Sequence, residues 1–284
     1  MQTSDRMKIP RPPRVLSIQS EVVHGHVGNA AARFALQRLG VDLLALPTVL
    51  FSNHPGHGGF SGGVTPVAEL DALLEGLEAR GFLDGVDAVL SGYLGSADQA
   101  ETVRAAVLSV KRRNPGAIYL LDPVFGDEGG AYARPGVAEA MAKHLLPLAD
   151  IVTPNRFELA SLTSRRIEDA AAAVSAARTL GRKLVLATSV PGAADEIGTA
   201  AITPDRAWLA MAARAAHAPS GTGDLLAALF LGWQLKGEDV PAALARATGA
   251  VAALIAASGT AKDLALIAGQ DALLTARLDP TLLA

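Results

Sequence analysis

Pro219-Ser220-Gly221-Thr222-Gly223-Asp224 runs directly into Leu225-Leu226-Ala227-Ala228-Leu229-Phe230-Leu231. A loop of small residues thus feeds an apolar helix. Glycine at 221 and 223 lets the backbone pass close to a ligand and take up positive φ. The first amides of a helix lack intrahelical partners, and with the macrodipole they make an anion site suited to a phosphate. The carboxylate of Asp224 needs a reason to sit in such a cradle. One reason is helix capping, a common use of Asp at a first turn. The other is chemical: the carboxylate takes the proton of an attacking hydroxyl while the amides stabilise a transferring phosphoryl group. The motif alone leaves both open.

The 284-residue chain is half hydrophobic and carries a net charge of −3. That length supports one large α/β domain with a full core. The near-neutral balance gives no basic footprint for nucleic acid. No apolar run reads as a membrane span, and no secretory signal is expected at the N-terminus. With no cysteine, disulfide and thiolate chemistry are excluded, and a cytoplasmic location is expected. Residues 1–13, polar and rich in Pro10, Pro12 and Pro13, read as a flexible leader.

Working outward from the loop, apolar strands alternate with helical segments. Strands are expected at Arg14–Ile18, Val41–Pro47, Ala88–Leu90, Ile118–Leu121, Ile151–Val152 and Leu184–Ala187, with two short ones near 198–210. Helices are expected at about 29–39, 66–80, 97–113 and 136–146, and long Ala- and Leu-rich ones fill 222–258. Ser52 to Gly63, rich in Gly and His, reads as a mobile flap. Uninterrupted apolar strands imply a largely parallel sheet covered by helices on both faces. In such sheets ligands bind beyond the carboxyl ends of the strands. The polar clusters fall at those ends: Gln19-Ser20, Ser91-Gly92-Tyr93, Asp122, Thr153 to Glu158, and Thr188-Ser189.

Asp122 and Asp127 lie just past a strand, and Glu158 opens a helix. Hard carboxylate oxygens near a phosphate site suit Mg²⁺. Each acid also has an ordinary structural reading, Asp122 as a turn former before Pro123 and Glu158 as a first-turn acid. Jointly, with Asp224, they favour metal-assisted phosphoryl transfer. Thr188 and Ser189 suit either a nucleotide phosphate or a strand-end turn. His24, His26, His54 and His57 fit no zinc spacing, so flap or surface positions are expected. Ser20 has no Gly-x-Ser-x-Gly context and reads as a hydrogen-bonding group. Tyr93 either packs or stacks on a flat ring.

Ser17-Ile18-Gln19-Ser20-Glu21-Val22-Val23-His24-Gly25-His26-Val27-Gly28-Asn29 resembles the opening of the pyridoxal (vitamin B6) kinases of the ribokinase superfamily. So do Pro47 to Asn53, Ser91 to Gly95, Asp122 to Asp127, Thr153 to Leu159, and Gly221 to Asp224, in order over about 14–260. The Thr-Val-Leu flap entry and the Ala-Thr-Ser strand end resemble the branch acting on all three vitamers more than the pyridoxal-only branch. The resemblance implies a ribokinase-like three-layer sandwich over 14–284, a single kinase domain with a flap around 50–63. It implies ATP-dependent phosphorylation of the 5′-hydroxyl of pyridoxal, pyridoxine or pyridoxamine. Asp224 would be the base, and the amides of Gly221, Thr222 and Gly223 the anion hole. Ser20 would bind the pyridine ring, with Val22, Thr48 and Tyr93 around it. Asp122, Thr153, Glu158, Thr188 and Thr222 would serve ATP. Glu158, Asp122, Asp127 and Tyr132 would surround the cations, Mg²⁺ and a monovalent ion such as K⁺. A homodimer is also implied.

Two positions depart from the resemblance. Gly56 stands where relatives carry a substrate-contacting flap His, with His54 and His57 on either side; Gly56 and His57 are expected near the substrate, and which of the two rings takes over from the missing His is left open. Ser220 replaces a Lys that often precedes the loop. These departures keep two alternatives in view, a hydroxymethylpyrimidine kinase of the same superfamily and a B6-binding protein without catalysis.

Overall fold

The computed structural model describes residues 11–283. Strands β1 (Arg14–His24), β2 (Asp42–Asn53), β3 (Gly62–Val64), β4 (Ala88–Ser91) and β5 (Ile118–Leu121) alternate with helices α1 (Asn29–Arg38), α2 (Val67–Ala79) and α3 (Gln99–Arg113). A small hairpin, β6 (Gly126–Asp127) with β7 (Gly130–Ala131), precedes α4 (Val137–Ala140) and β8 (Ile151–Val152). Then come α5 (Arg156–Thr163), α6 (Ala170–Thr179), β9 (Leu184–Pro191), β10 (Glu196–Ile202) and β11 (Ala207–Ala213). Helices α7 (Thr222–Leu235), α8 (Val240–Ser258) and α9 (Ala272–Thr275) and strand β12 (Thr281–Leu283) finish the chain.

Ten strands form one sheet in the order β12-β11-β10-β9-β8-β5-β4-β1-β2-β3. From β9 to β2 the strands run parallel, and both flanks turn antiparallel. Side-chain alternation divides the core between the two faces. Val15, Leu90, Leu120, Leu184 and Leu186 point to the layer holding α1, α7, α8 and α9. Leu16, Val89, Tyr119, Leu121 and Val152 point to α2, α3 and the segment after Gly136. Val185, Ala187, Ala200 and Ile202 meet α5 and α6. This is the expected three-layer sandwich. β1 lies between β2 and β4: the chain goes from β1 to β2 on one side and then crosses from β3 back to β4 on the other, and this reversal of strand order opens a crevice at the carboxyl ends.

Several elements differ from expectation. β1 continues through Ser20 to His24 and β2 through Pro47 to Asn53, paired in parallel across a register shift at Gln19/Glu21. The expected flap is therefore ordered hairpin structure: β2 and β3 flank a 3₁₀ turn at Pro55–His57. The single helix expected at 136–146 breaks up after Ala140 into a π turn at Met141–Leu145 and a 3₁₀ turn at Leu146–Leu148. Of the expected leader, residues 1–10 lie outside the described residues. Arg11 is pinned: Nη1 donates to the Gly85 carbonyl at 2.6 Å, and the guanidinium forks onto Asp87 at 2.9 and 3.0 Å.

Helix α8 is long and apolar enough, by length and composition, to cross a membrane, contrary to the sequence reading; half of that stretch is buried within the fold. An Ala-rich core helix meets the same criterion. Here it packs on α7, α9, β10 and β11, and its Arg246 stacks over the Trp233 ring at 4.3 Å.

Candidate active site

The carboxyl ends of the parallel strands open into a cleft of about 1030 Å³. At its centre lies the N-terminus of α7. Gly221 caps the helix with φ 92°. A Cβ there would overlap the His26 carbonyl, so only glycine lets the chain enter the helix at this point. Thr222, Gly223 and Asp224 follow on the first turn, and all of them line the cleft. Burial raises the Asp224 carboxyl above its ordinary value, and the Gly28 amide opposes this.

Across from Asp224, at the end of β5, Asp122 is buried. Its Oδ1 accepts the Thr153 hydroxyl at 2.6 Å. Desolvation and the neighbouring Asp224 charge push Asp122 up to about 7. Glu158 is also buried. It is the third residue of a capping box on α5: Asn155 Oδ1 accepts from the Glu158 amide, and Glu158 Oε2 accepts from the Asn155 amide at 2.9 Å. Its Oε1 accepts from the Phe125 amide at 3.1 Å. Despite these bonds, burial and Asp122 hold Glu158 well above the carboxylate range. Asp127 lines the cleft from the β6–β7 turn, where its Oδ1 accepts the Gly129 amide at 2.7 Å. Tyr132, half exposed, lies beside the acids; partial burial and their charges raise its phenol. Four acids lining one cleft, Asp122, Asp127, Glu158 and Asp224, are a set of hard oxygens short of positive charge.

Ser20, Val22 and Tyr93 line one end of the cleft, and Thr153 and Thr188 the other. Thr188 sits where β9 bulges against β10, beside Ser189 at φ 57°. Beyond them Leu226, Val251 and Ile255 form an apolar wall. Thr48 is fully buried behind this surface, and its hydroxyl donates to the Tyr93 carbonyl at 2.7 Å.

At the flap the three candidate positions separate. Gly56 and His57 do not line the cleft, whereas His54 does. His57 Nε2 turns instead to Asp263, 3.2 Å away. His54 Nδ1 accepts from the Gly56 amide at 3.1 Å and meets the Ser220 hydroxyl at 3.2 Å, which joins the flap to the phosphate loop. Lys262, absent from the sequence reading, approaches from the C-terminal segment: Nζ donates to the Gly56 carbonyl at 3.1 Å, and its own carbonyl accepts from Ser220. It lies far from the loop along the chain, so no local pattern marks it.

A strand-end cleft that joins a helix-capping amide cradle, clustered carboxylates and an apolar slot defines a small-molecule kinase of the α/β class. Residues 67–266 match the family described as phosphomethylpyrimidine kinase. The chain is 41% identical over 267 residues to the pyridoxal kinase PdxY of Burkholderia lata, covering 90% of this chain and 93% of that protein. It is 43% identical over 257 residues to the pyridoxal kinase PdxY of Deinococcus radiodurans, 86% of each. The pyridoxal kinase of Leishmania donovani in complex with ADP and pyridoxine superposes with a TM-score of 0.90 at 31% identity, over 95% of this chain and 99% of that one. The chain belongs to the pyridoxal kinases of the ribokinase superfamily. Both bacterial relatives bear the name of a pyridoxal kinase rather than of the three-vitamer branch suggested by the flap entry.

Proposed function

We infer that this chain transfers the γ-phosphoryl group of ATP to the 5′-hydroxyl of pyridoxal, pyridoxine or pyridoxamine, giving ADP and the 5′-phosphate. The observation that carries the reading is Asp224 on the first turn of α7, in one cleft with Ser20, Asp122 and Glu158.

In this reading the hydroxyl oxygen attacks the γ-phosphorus, the bond to the β-phosphate breaks, and the proton passes to Asp224. A primary alcohol is a weak acid, so the transfer to Asp224 comes late and positioning supplies much of the rate. The amides of Gly221, Thr222 and Gly223 stabilise the charge that develops on the phosphoryl oxygens. Ser20 hydrogen-bonds the pyridine ring between Val22 and Tyr93, and Thr48 fixes Tyr93 through its carbonyl. Of the two rings flanking Gly56, His54 takes the flap position at the substrate. Asp122, Thr153, Glu158, Thr188 and Thr222 hold the nucleotide, with its base against the apolar wall. The carboxylates of Asp122, Glu158 and Asp127 fit Mg²⁺, which when bound neutralises charge on the phosphates. Tyr132 stands beside them, and K⁺ is proposed on the family resemblance alone.

Residues 14–284 are proposed to be one kinase unit, since the sheet continues unbroken from the flap hairpin to β12. A homodimer is proposed, supported by apolar surface that the extensions of β1 and β2 leave exposed, Val23 at 80% and Leu50 at 50%. A cytoplasmic location fits a reaction that consumes ATP. ADP release measured in parallel with pyridoxal, pyridoxine, pyridoxamine and hydroxymethylpyrimidine tests the function. Turnover of one or more vitamers is expected; turnover of the pyrimidine alone overturns the reading.

A further inference from the structure

We propose that His24, His57 and Asp263 form a binding site for a divalent ion of the zinc class that fastens the flap to the C-terminal segment. The three residues come from separate parts of the chain. His24 ends β1, His57 closes the flap's 3₁₀ turn, and Asp263 follows α8. One ligand atom from each can be chosen so that all lie within 4.8 Å of one another. His57 Nε2 is 3.2 Å from Asp263 Oδ1, and His24 Nε2 is 3.5 Å from Oδ2. A tetrahedral ion with bonds of about 2.0–2.1 Å holds its ligands about 3.3–3.4 Å apart. The two ring-to-carboxylate separations, each to a different oxygen of Asp263, bracket that value, and the third separation is within 4.8 Å.

Two imidazoles from distant parts of the chain converge on Asp263, with ring centroids 5.7 Å apart and planes at 77°. Two imidazoles beside a carboxylate make an N₂O set of the kind zinc, cobalt and nickel take. The neighbours do not oppose a cation. The nearby ammonium of Lys262 is held on the Gly56 carbonyl. His24 is 72% exposed, which leaves a path from solvent and room for water as a further ligand.

The site is separate from the carboxylates proposed for Mg²⁺. It shares the turn already held by the His54–Ser220 and Lys262–Gly56 contacts. An ion across His57 and Asp263 adds a strong link at the same place, and slower flap opening lowers turnover.

The test uses the full chain without nucleotide, in excess Mg²⁺. Co²⁺ is titrated by visible absorption and displaced by Zn²⁺, with wild type, His24→Ala and Asp263→Asn compared and each variant's fold checked by its melting curve. One ion per chain is expected, bound at least about tenfold more weakly by either variant, since even outer partners of metal ligands are worth about 10–100-fold. Absence of stoichiometric binding, or equal affinity in the variants, overturns the site. A second arm measures kcat with saturating Zn²⁺ over excess Mg²⁺. A severalfold fall in wild type that His24→Ala abolishes is expected, and an unchanged wild-type kcat overturns the fastening. Only this arm rests on the kinase reading; the binding arm needs no substrate and fails or succeeds on its own.

Discussion

Asp122 titrates where few carboxylates do, because burial and the Asp224 charge lift it from 3.8 to about 7. Between those values the folded chain holds a proton that the unfolded chain has lost. Stability therefore falls as pH rises from about 4 to about 7 and stays lowered above that. Asp122→Asn removes the buried charge and keeps an oxygen for Thr153. The variant is expected to melt higher than wild type at pH 8, by on the order of 1–3 kcal/mol, with the difference vanishing at pH 5 where Asp122 is protonated. Melting curves at the two pH values decide this, and equal curves at pH 8 contradict it. Asp224→Asn is expected to leave vitamer binding measurable while cutting kcat by about two orders of magnitude or more. As a base, Asp224 must be ionised, and its raised pKa moves the acid limb of the rate profile above that of an ordinary Asp. These acids were legible in the sequence because each sits where an apolar strand stops or a helix begins. His54 was not. Residue identity at 54, 56 and 57 says nothing about which ring a 3₁₀ turn swings inward, and that depends on the Ser220 contact.

Helix α5 shows how an element sets a site. Asn155 does three things at once: Oδ1 caps the Glu158 amide at 3.0 Å, its own amide donates to Glu158 Oε2, and Nδ2 donates to the Gly126 carbonyl at 2.7 Å. Asn155→Ala is expected to cost about 1 kcal/mol of stability, the usual loss for a cap. It also frees Glu158 and the β6–β7 turn bearing Asp127, so the KM for MgATP is expected to rise more than the KM for the vitamer. Steady-state kinetics with each substrate varied separate the two. The flap hairpin carries a second expectation. Replacing residues 55–61 by a short Gly-Ser turn uncovers the cleft, so ADP release without any vitamer is expected to rise. Buried strands were legible as apolar runs, and their parallel pairing followed. The continuation of β1 to His24 was not. Glu21, Val23 and His24 show neither alternation nor burial typical of a strand, and only the partner residues Leu50 to Asn53 make them one.

At the scale of the whole molecule, the last 26 residues (259–284) tie both ends of the site together. Sequence patterning stops being informative at Ser258, because the residues beyond it have little periodicity and make their contacts with distant elements. Leu264 and Leu266 are buried against the helical layer. The Ala265 amide donates to the Ser258 hydroxyl at 2.8 Å. A Cβ on Gly249 would collide with the backbone of Arg277, so the returning chain lies directly on α8. Lys262 and Asp263 reach the flap. By contrast β12 adds only an edge pairing to β11, through Thr281 to Leu283, and Leu282 is 62% exposed. The two parts should therefore separate in truncations. A chain ending at 280 loses a marginal edge strand and is expected to keep near-wild-type kcat with a lower melting temperature. A chain ending at 261 strips the flap of its partners and exposes the α8 face that Leu264, Leu266 and Leu273 cover, so soluble folded protein and activity are expected to be lost together. The point variant Lys262→Ala distinguishes a failed fold from a failed site: it spares the core, and a raised vitamer KM with an unchanged melting curve is expected. A wild-type KM in that variant would mean that the C-terminal segment serves the core alone and leaves the flap to hold itself.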